Sequence, residues 1–319
     1  MAAIDLERLV EGNRRALAKA ITLVESKLDA HREQSKAMLE KLLPKTGNSI
    51  RIGITGIPGV GKSTFIETFG LHLLSLGKKV AVLAVDPSSP LEGGSILGDK
   101  TRMELLSREH DAFIRPSPSE GSLGGVAQKT RETMLLCEAA GYDVILVETV
   151  GVGQSEYEVA GMVDFFMVLM LPNAGDELQG IKKGIMELAD ALVINKADGE
   201  SLNLAEQTRR HYTSALGLLR HTSFWTPQVL SCSAQLKQGI DAVWGMISNY
   251  HIEAQKNGSF EGKRTQQNKE WMQKLIMELL ERKLNQNPAV KTLKPELEQK
   301  VLNGETTPFV AATQLISLL

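Results

Sequence analysis

One short stretch of the sequence has residue types and a spacing that suit a nucleotide phosphate. Residues 56–63, GIPGVGKS, fit the pattern G-x-x-x-x-G-K-[ST] and lie between a predicted strand, Arg51–Thr55, and a predicted helix that begins at Ser63. Glycines let backbone N–H groups curl around a phosphate, and the helix N-terminus adds partial positive charge. Lys62 would neutralise the β- and γ-phosphates, and the Ser63 hydroxyl would ligate Mg²⁺. The nucleotide-binding residues that this pattern predicts are Gly56, Pro58, Gly59, Val60, Gly61, Lys62 and Ser63.

A second motif predicts which base is bound. Asn195, Lys196 and Asp198 form N-K-x-D directly after an apolar strand, as in the guanine-reading motif of GTPases. The Asp198 carboxylate can accept hydrogen bonds from the N1–H and the exocyclic amine of guanine, and a site built for such bonds rejects an analogue lacking them by ~10⁴-fold or more. The next strand ends in a segment, residues 231–234, that resembles the loop whose backbone contacts the guanine oxygen. It adds Ser231, Ser233 and Ala234 to the predicted site.

Three acidic residues are predicted to interact with Mg²⁺ and the attacking water. Glu148 ends a strand and opens E-T-V-G, a variant of the D-x-x-G motif, while Asp86 ends an earlier strand and Asp99 lies in the loop after it. An α/β sheet binds its ligand at the carboxyl ends of its strands, which favours a functional role for the first two over simple capping. Val152 occupies the position at which small GTPases carry a water-orienting glutamine. Because an apolar side chain cannot orient water, slow intrinsic hydrolysis is expected.

The elements that must position these residues alternate between apolar runs and helical segments. Such alternation predicts an α/β fold, a doubly wound and mainly parallel sheet of the P-loop GTPase type with helical extensions at both ends. Ile4 to Leu43 has the apolar spacing of a helix. The expected divisions are an N-terminal helical extension over 1–46, the GTPase domain over 47–257 and a C-terminal helical dimerisation segment over 258–319. The predicted strands are Ile50–Thr55, Lys79–Val85, Val144–Glu148, Val163–Leu171, Ala191–Asn195 and Gln228–Cys232.

The composition argues against several classes of protein. A formal net charge of −2 gives no reason to expect nucleic acid or an anionic membrane as a partner. Two cysteines cannot build a disulfide framework, which suits a reducing cytosol. The charged, amphipathic N-terminus lacks the apolar stretch of a secretory signal, and no apolar run approaches the ~20 residues that span a bilayer. A cytoplasmic protein is therefore expected.

Five blocks of sequence resemble the methylmalonyl-CoA mutase-associated GTPases. They are GITGIPGVGKSTFIE, AVDPSSPLEGGSILGDKTRM, VETVGVGQSE, PNAGDELQGIKKGIMELAD and VINKAD, and the close resemblance runs from about Arg51 to Ala234. The family implies a homodimeric GTPase, with GTP or GDP and Mg²⁺ as ligands. Its expected client is an adenosylcobalamin-dependent acyl-CoA mutase, for which it gates cofactor loading and which it protects or reactivates.

The resemblance also assigns roles to individual positions. It extends the phosphate loop to Thr64 and makes Asp86, Asp99 and Glu148, with Ser63, the expected metal and switch residues. It implies a family-specific loop at about residues 172–183 that relays the nucleotide state to the client. The expected catalytic residues are then Lys62, Glu148, Asp99 and Lys182, and the expected switch residues are Gly151, Gln154, Asp176 and Gln179.

Three other functions stay open at the level of sequence. A kinase or transport-linked ATPase would prefer ATP, against which Asn195–Asp198 argues. A metallochaperone of the nickel-loading type usually carries clustered His or Cys, whereas the six histidines here are scattered. In a purely binding role, the nucleotide would be a structural ligand and the helical tail would mediate assembly.

Overall fold

The computed structural model describes residues 4–26, 28–85, 103–116, 123–149, 155–172, 183–217 and 224–319. The chain divides into two compact units, Met1–Phe260 and Glu261–Leu319. Among the described residues, no helix combines the length and the apolar character needed to cross a bilayer.

The first unit is built on one sheet of seven parallel strands. The strands lie in the order β3-β2-β4-β1-β5-β6-β7, so β1 is central and pairs with β4 on one side and β5 on the other. This arrangement confirms the predicted doubly wound parallel fold. The strands are β1 (Ile50–Gly56), β2 (Val80–Val85), β3 (Ala112–Arg115), β4 (Val144–Thr149), β5 (Phe165–Met170), β6 (Ala191–Ile194) and β7 (Gln228–Ser231).

Strand β3 is not among the strands predicted from the sequence. It has only four residues, AFIR, and it pairs on one side alone, with β2. Its apolar run is only three residues, Ala112–Ile114, flanked by the charged Asp111 and Arg115. Such a run is below the length at which a pattern identifies a strand, and pairing with β2 decides its conformation.

Helices cover both faces of the sheet. The expected continuous helix from Ile4 to Leu43 is wrong: the chain turns at Gly12, where φ is +85°, and the Asn13 side chain then caps a new helix. The described helices of this unit are α1 (Leu6–Val10), α2 (Arg14–Glu25), α3 (Asp29–Leu42), α4 (Lys62–Ser75), α5 (Glu104–Arg108), α6 (Leu123–Ala139), α7 (Ser155–Ala160), α8 (Lys183–Leu188), α9 (Leu202–Gly217) and α10 (Ile240–Lys256).

The strand sequences are apolar on nearly every residue because each face has its own core. Ile145 and Val147 of β4 point into one core, where Leu17 and Ile21 of α2 are fully buried, and Leu146 points into the other core with Phe65 and Phe69 of α4. The N-terminal helices are therefore part of one of the two hydrophobic cores of the first unit.

A buried ion pair fixes the start of the central strand. The Arg51 Nε donates to Glu138 Oε1 of α6 at 2.8 Å, and the other carboxylate oxygen of Glu138 accepts from the Gly47 amide at 2.9 Å. The Arg51 amide donates to Asp164 at 2.8 Å. Because the Glu138 side chain is 1% exposed, removing either charge would leave its partner buried and uncompensated.

The second unit is helical, and its first helix begins at Ser259, just before the unit itself begins. Its buried apolar side chains are small in number: Val290, Leu297 and Ala311. Many large apolar side chains are exposed, with Leu302 at 80% and Phe309 at 81%. The helices are α11 (Ser259–Gln286), α12 (Pro288–Leu302) and α13 (Pro308–Ile316).

We predict that Gly53→Ala destabilises the first unit by about 1–3 kcal/mol through overpacking. A β-carbon at Gly53 would lie 2.8 Å from Phe166, 2.9 Å from Val159 and 3.0 Å from Val163, all of them buried. Urea unfolding would measure the loss. The control is Gly245→Ala in α10, where a β-carbon meets nothing within 4 Å. Equal free energies of unfolding for wild type and Gly53→Ala would contradict the prediction.

Candidate functional site

The phosphate loop joins the end of β1 to the start of α4, as its pattern predicts. Gly61, at the N-cap of α4, has φ +91°, and a β-carbon there would lie 2.9 Å from Asn195 Nδ2. At Gly56 a β-carbon would lie 2.6 Å from the Leu169 carbonyl oxygen. Both glycines are required because the loop passes close to neighbouring backbone and side chains. Ser63 and Thr64 follow in the first turn of α4.

Lys62 is the cation of this loop. Its Nζ donates to the Gly56 carbonyl at 2.8 Å and to the Ile57 carbonyl at 3.4 Å, which holds the ammonium over the loop. Burial lowers the pKa of Lys62, and the negative charges of Glu148 and Glu156 act in the opposite direction. Two carboxylates therefore lie near enough to the predicted phosphate-binding ammonium to stabilise its charge.

The N-K-x-D segment is bonded to the phosphate loop and to the segment after β7. The buried Asn195 side chain donates from Nδ2 to the Val60 carbonyl at 2.9 Å and accepts at Oδ1 from the Ala234 amide at 3.1 Å. Lys196 donates from Nζ to the Gly59 carbonyl at 2.8 Å. One asparagine thus holds the predicted phosphate and guanine loops in a fixed relation.

The Asp198 carboxylate lies where residues 231–234 approach the motif. The buried Ser233 hydroxyl donates to Asp198 Oδ2, and its oxygen accepts from the Leu236 amide at 3.1 Å. Asp198 itself is half-buried, so a carboxylate oriented by Ser233 still has an open side. Ser231 is the last residue of β7, and burial raises the pKa of Cys232 to about 12, as suits a packed thiol.

Two hydroxyls join β1, the strand that leads into the phosphate loop, to the E-T-V-G motif. Thr149 Oγ1 donates to Thr55 Oγ1 at 2.7 Å, and both residues are buried at the ends of adjacent strands. Glu148 precedes this pair in β4, in register with Ile54 of β1. Sequence reasoning did not single out Thr55, Thr149 or Glu156. Glu156 lies in α7 and is 3% exposed. The only feature of the sequence that could have pointed to it is its place at the end of the block VETVGVGQSE.

Several predicted site residues lie outside the described residues. The predicted metal ligands within the described part are Ser63 and Glu148, whose charge acts on Lys62. Across the described ranges, no group of three or more His, Cys, Asp or Glu side chains lies close enough to hold a metal ion. The predicted residues beyond those ranges are Asp86, Asp99, Gly151, Gln154, Asp176, Gln179 and Lys182.

Comparison with known proteins gives long and close matches. The family model described as methylmalonyl Co-A mutase-associated GTPase MeaB matches residues 17–289. GTPase ArgK of Escherichia coli is 54% identical over 273 residues, which cover 85% of this chain and 82% of that protein. The mitochondrial methylmalonic aciduria type A homolog of Mus musculus is 46% identical over 319 residues, covering 97% and 77%. The crystal structure of LAO/AO transport system kinase is 44% identical, with a TM-score of 0.78 and coverage of 97% and 94%.

We predict that Asp198→Asn weakens GTP binding by about 10- to 100-fold, because an amide cannot replace a carboxylate that accepts two bonds from guanine. Equilibrium titration with a fluorescent GTP analogue would measure the loss, and ATP binding would stay as weak as in wild type. The control is Asp241→Asn, the same change in the first turn of α10. Unchanged GTP affinity in Asp198→Asn would exclude this carboxylate as the base reader.

Proposed function

This chain belongs to the family of methylmalonyl-CoA mutase-associated GTPases, and we propose that it is a Mg²⁺-dependent GTP hydrolase that acts as a chaperone and switch for an adenosylcobalamin-dependent acyl-CoA mutase. The family resemblance predicted from the sequence is thereby confirmed. For the hydrolase, the supporting observation is the Asn195 side chain, which joins the phosphate loop to the predicted guanine loop. For the client, the support is the family's description.

In the proposed reaction the chain positions GTP and neutralises its charge, with no covalent nucleophile. Backbone N–H groups of the phosphate loop and the Lys62 ammonium bind the phosphates. Bound Mg²⁺ would add positive charge at the β- and γ-phosphates, and Ser63 and Glu148 are the described residues that would hold it. Asp198 selects guanine, and Asn195 holds the guanine loop against the phosphate loop. Val152 supplies no group that could orient water, so hydrolysis is slow until the client completes the site.

We predict that a methylmalonyl-CoA mutase from the same source raises GTP turnover by about tenfold or more, as partners do for related phosphoryl-transfer switches. Lys62→Ala would abolish both basal and stimulated turnover, because it removes the phosphate-binding cation. Lys19→Ala, a change to an exposed lysine of α2, is the control. Free phosphate release with and without the mutase is the measurement. If the mutase neither raises GTP turnover nor forms a nucleotide-dependent complex with the protein, methylmalonyl-CoA mutase is not the client. Fast GTP turnover by the isolated protein would contradict the proposed slow hydrolysis.

The same assay separates the alternatives. A kinase would place labelled phosphate on a protein or an amino acid instead of releasing it, an activity that the name of the related LAO/AO transport system kinase makes worth measuring. In a purely binding role, the client would respond equally to wild type and to Lys62→Ala. Nickel retention by the untagged protein would favour a metallochaperone.

We propose further that the protein is a homodimer joined through residues 258–319 and that it acts in the cytoplasm. The support for the dimer is the exposed apolar surface of the second unit, which includes Met277, Leu302 and Phe309.

Phe309→Asp is expected to shift the dimer towards monomer, since it puts a charge into an apolar contact. Sedimentation equilibrium would measure the shift, with Gln314→Asp as the control on the same helix, α13. A dissociation constant that is unchanged in Phe309→Asp would exclude that side chain from the interface.

A further inference from the structure

Two short helices follow the two segments that are expected to respond to nucleotide. Helix α7 begins at Ser155, four residues after the end of the motif that Glu148 opens, and α8 begins at Lys183, where the expected family-specific loop (residues 172–183) ends. The two helices pack against each other. A β-carbon built on Gly184 of α8 would overlap the Tyr157 hydroxyl and lie 3.3 Å from Tyr157 Cζ. The end of the tyrosine ring therefore lies directly on the backbone of α8.

The opposite side of α7 is held by the central strand and by α6. Val159 lies over Gly53 of β1, so closely that a β-carbon at Gly53 would be 2.9 Å from its Cγ1. Just beyond the helix, Arg131 Nη2 donates to the Gly161 carbonyl at 2.7 Å. Because this side is held in place, a displacement of the first turn of α7 would be transmitted to α8 mainly through Tyr157.

The first turn of α7 also lies within electrostatic reach of the nucleotide site. Glu156 is 3% exposed, and its charge acts on the ammonium of Lys62. Its neighbour along the chain is Tyr157, so one helical turn carries both a group that interacts with the phosphate-binding lysine and a ring that rests on α8. These two adjacent residues therefore form a short physical link between the nucleotide site and the start of α8.

We propose that the contact between Tyr157 and Gly184 couples the occupancy of the nucleotide site to the first turn of α8, with Tyr157 as a positioning residue. The glycine is needed because any side chain at position 184 would push the ring away from α8. This inference rests on the proposed function, in which the protein is a nucleotide-dependent switch for its client. It adds a physical contact through which the nucleotide state can reach α8.

Hydrogen exchange gives a test that needs no client. Exchange of residues 183–190 would be compared between GDP and a non-hydrolysable GTP analogue with Mg²⁺, in wild type, Tyr157→Ala and Gly184→Ala. We expect the difference between the two nucleotide states to fall by about fivefold or more in both variants, the range expected when a coupling contact is lost. The difference at residues 148–156 would persist in all three proteins, and basal GTP turnover would stay within about twofold of wild type.

The chain offers controls that separate coupling from damage to the fold. In Gly184→Ala the new methyl group would meet the end of the Tyr157 side chain, a residue that is 46% exposed, so the ring can move aside at small cost and the protein should fold. Tyr157→Phe combined with Gly184→Ala removes the overlapping hydroxyl and should restore most of the difference. Gly245→Ala, with open space around it, should change nothing.

The possible outcomes distinguish this inference from the proposal beneath it. A nucleotide-dependent difference at 183–190 that survives in Tyr157→Ala and Gly184→Ala, or that is missing in wild type, would overturn the coupling. Stimulation of GTP turnover by the mutase, measured in parallel, tests whether the mutase is the client. If the mutase raises GTP turnover equally in wild type and in both variants, the coupling through Tyr157 and Gly184 is wrong and the proposed function still stands.

Discussion

The central strand β1 is the constraint on which the rest of the site depends. All seven of its residues are buried, and it pairs with β4 and β5 on its two sides. At its start, Arg51 is neutralised by Glu138, and at its end a β-carbon on Gly56 would lie 2.6 Å from a neighbouring carbonyl oxygen. Because the strand is fixed at both ends, the phosphate loop that follows it has a fixed position. Charge neutralisation by pre-organised groups requires such a fixed position.

From that fixed point, single polar side chains connect the loops that would surround a nucleotide. Asn195 bridges the phosphate loop and the segment after β7, Ser233 orients Asp198, and Thr149 bonds to Thr55. Each of the bridging groups is buried, and a buried polar group without a partner is costly. The hydrogen bonds are therefore specific to one arrangement of the loops. The arrangement in turn explains why residues far apart in the chain can act on one ligand.

Charge is distributed unevenly around Lys62. Burial lowers the pKa of Lys62, and the negative charges of Glu148 and Glu156 oppose this effect without cancelling it. A nucleotide phosphate would add negative charge beside two carboxylates. That repulsion gives the first turn of α7 a physical reason to respond to the ligand, and its other contacts determine where such a response could travel. Val159 packs against Gly53 on one side of α7, and Tyr157 contacts α8 on the other.

Six of the seven strands and the family were predicted correctly, because each depends on local spacing or on long blocks of residue identity, and the same kind of local pattern predicts the phosphate loop and the N-K-x-D motif. It did not determine strand β3 or the break in the N-terminal helices, where a four-residue edge and a single glycine turn give weak local signals. No sequence pattern predicted the Thr55–Thr149 bond, the place of Glu156 near Lys62, or the Tyr157 ring on Gly184, which the folded chain brings together. Those contacts join residues that are distant in the chain, and their geometry depends on how closely the helices pack on the sheet, which no local pattern specifies.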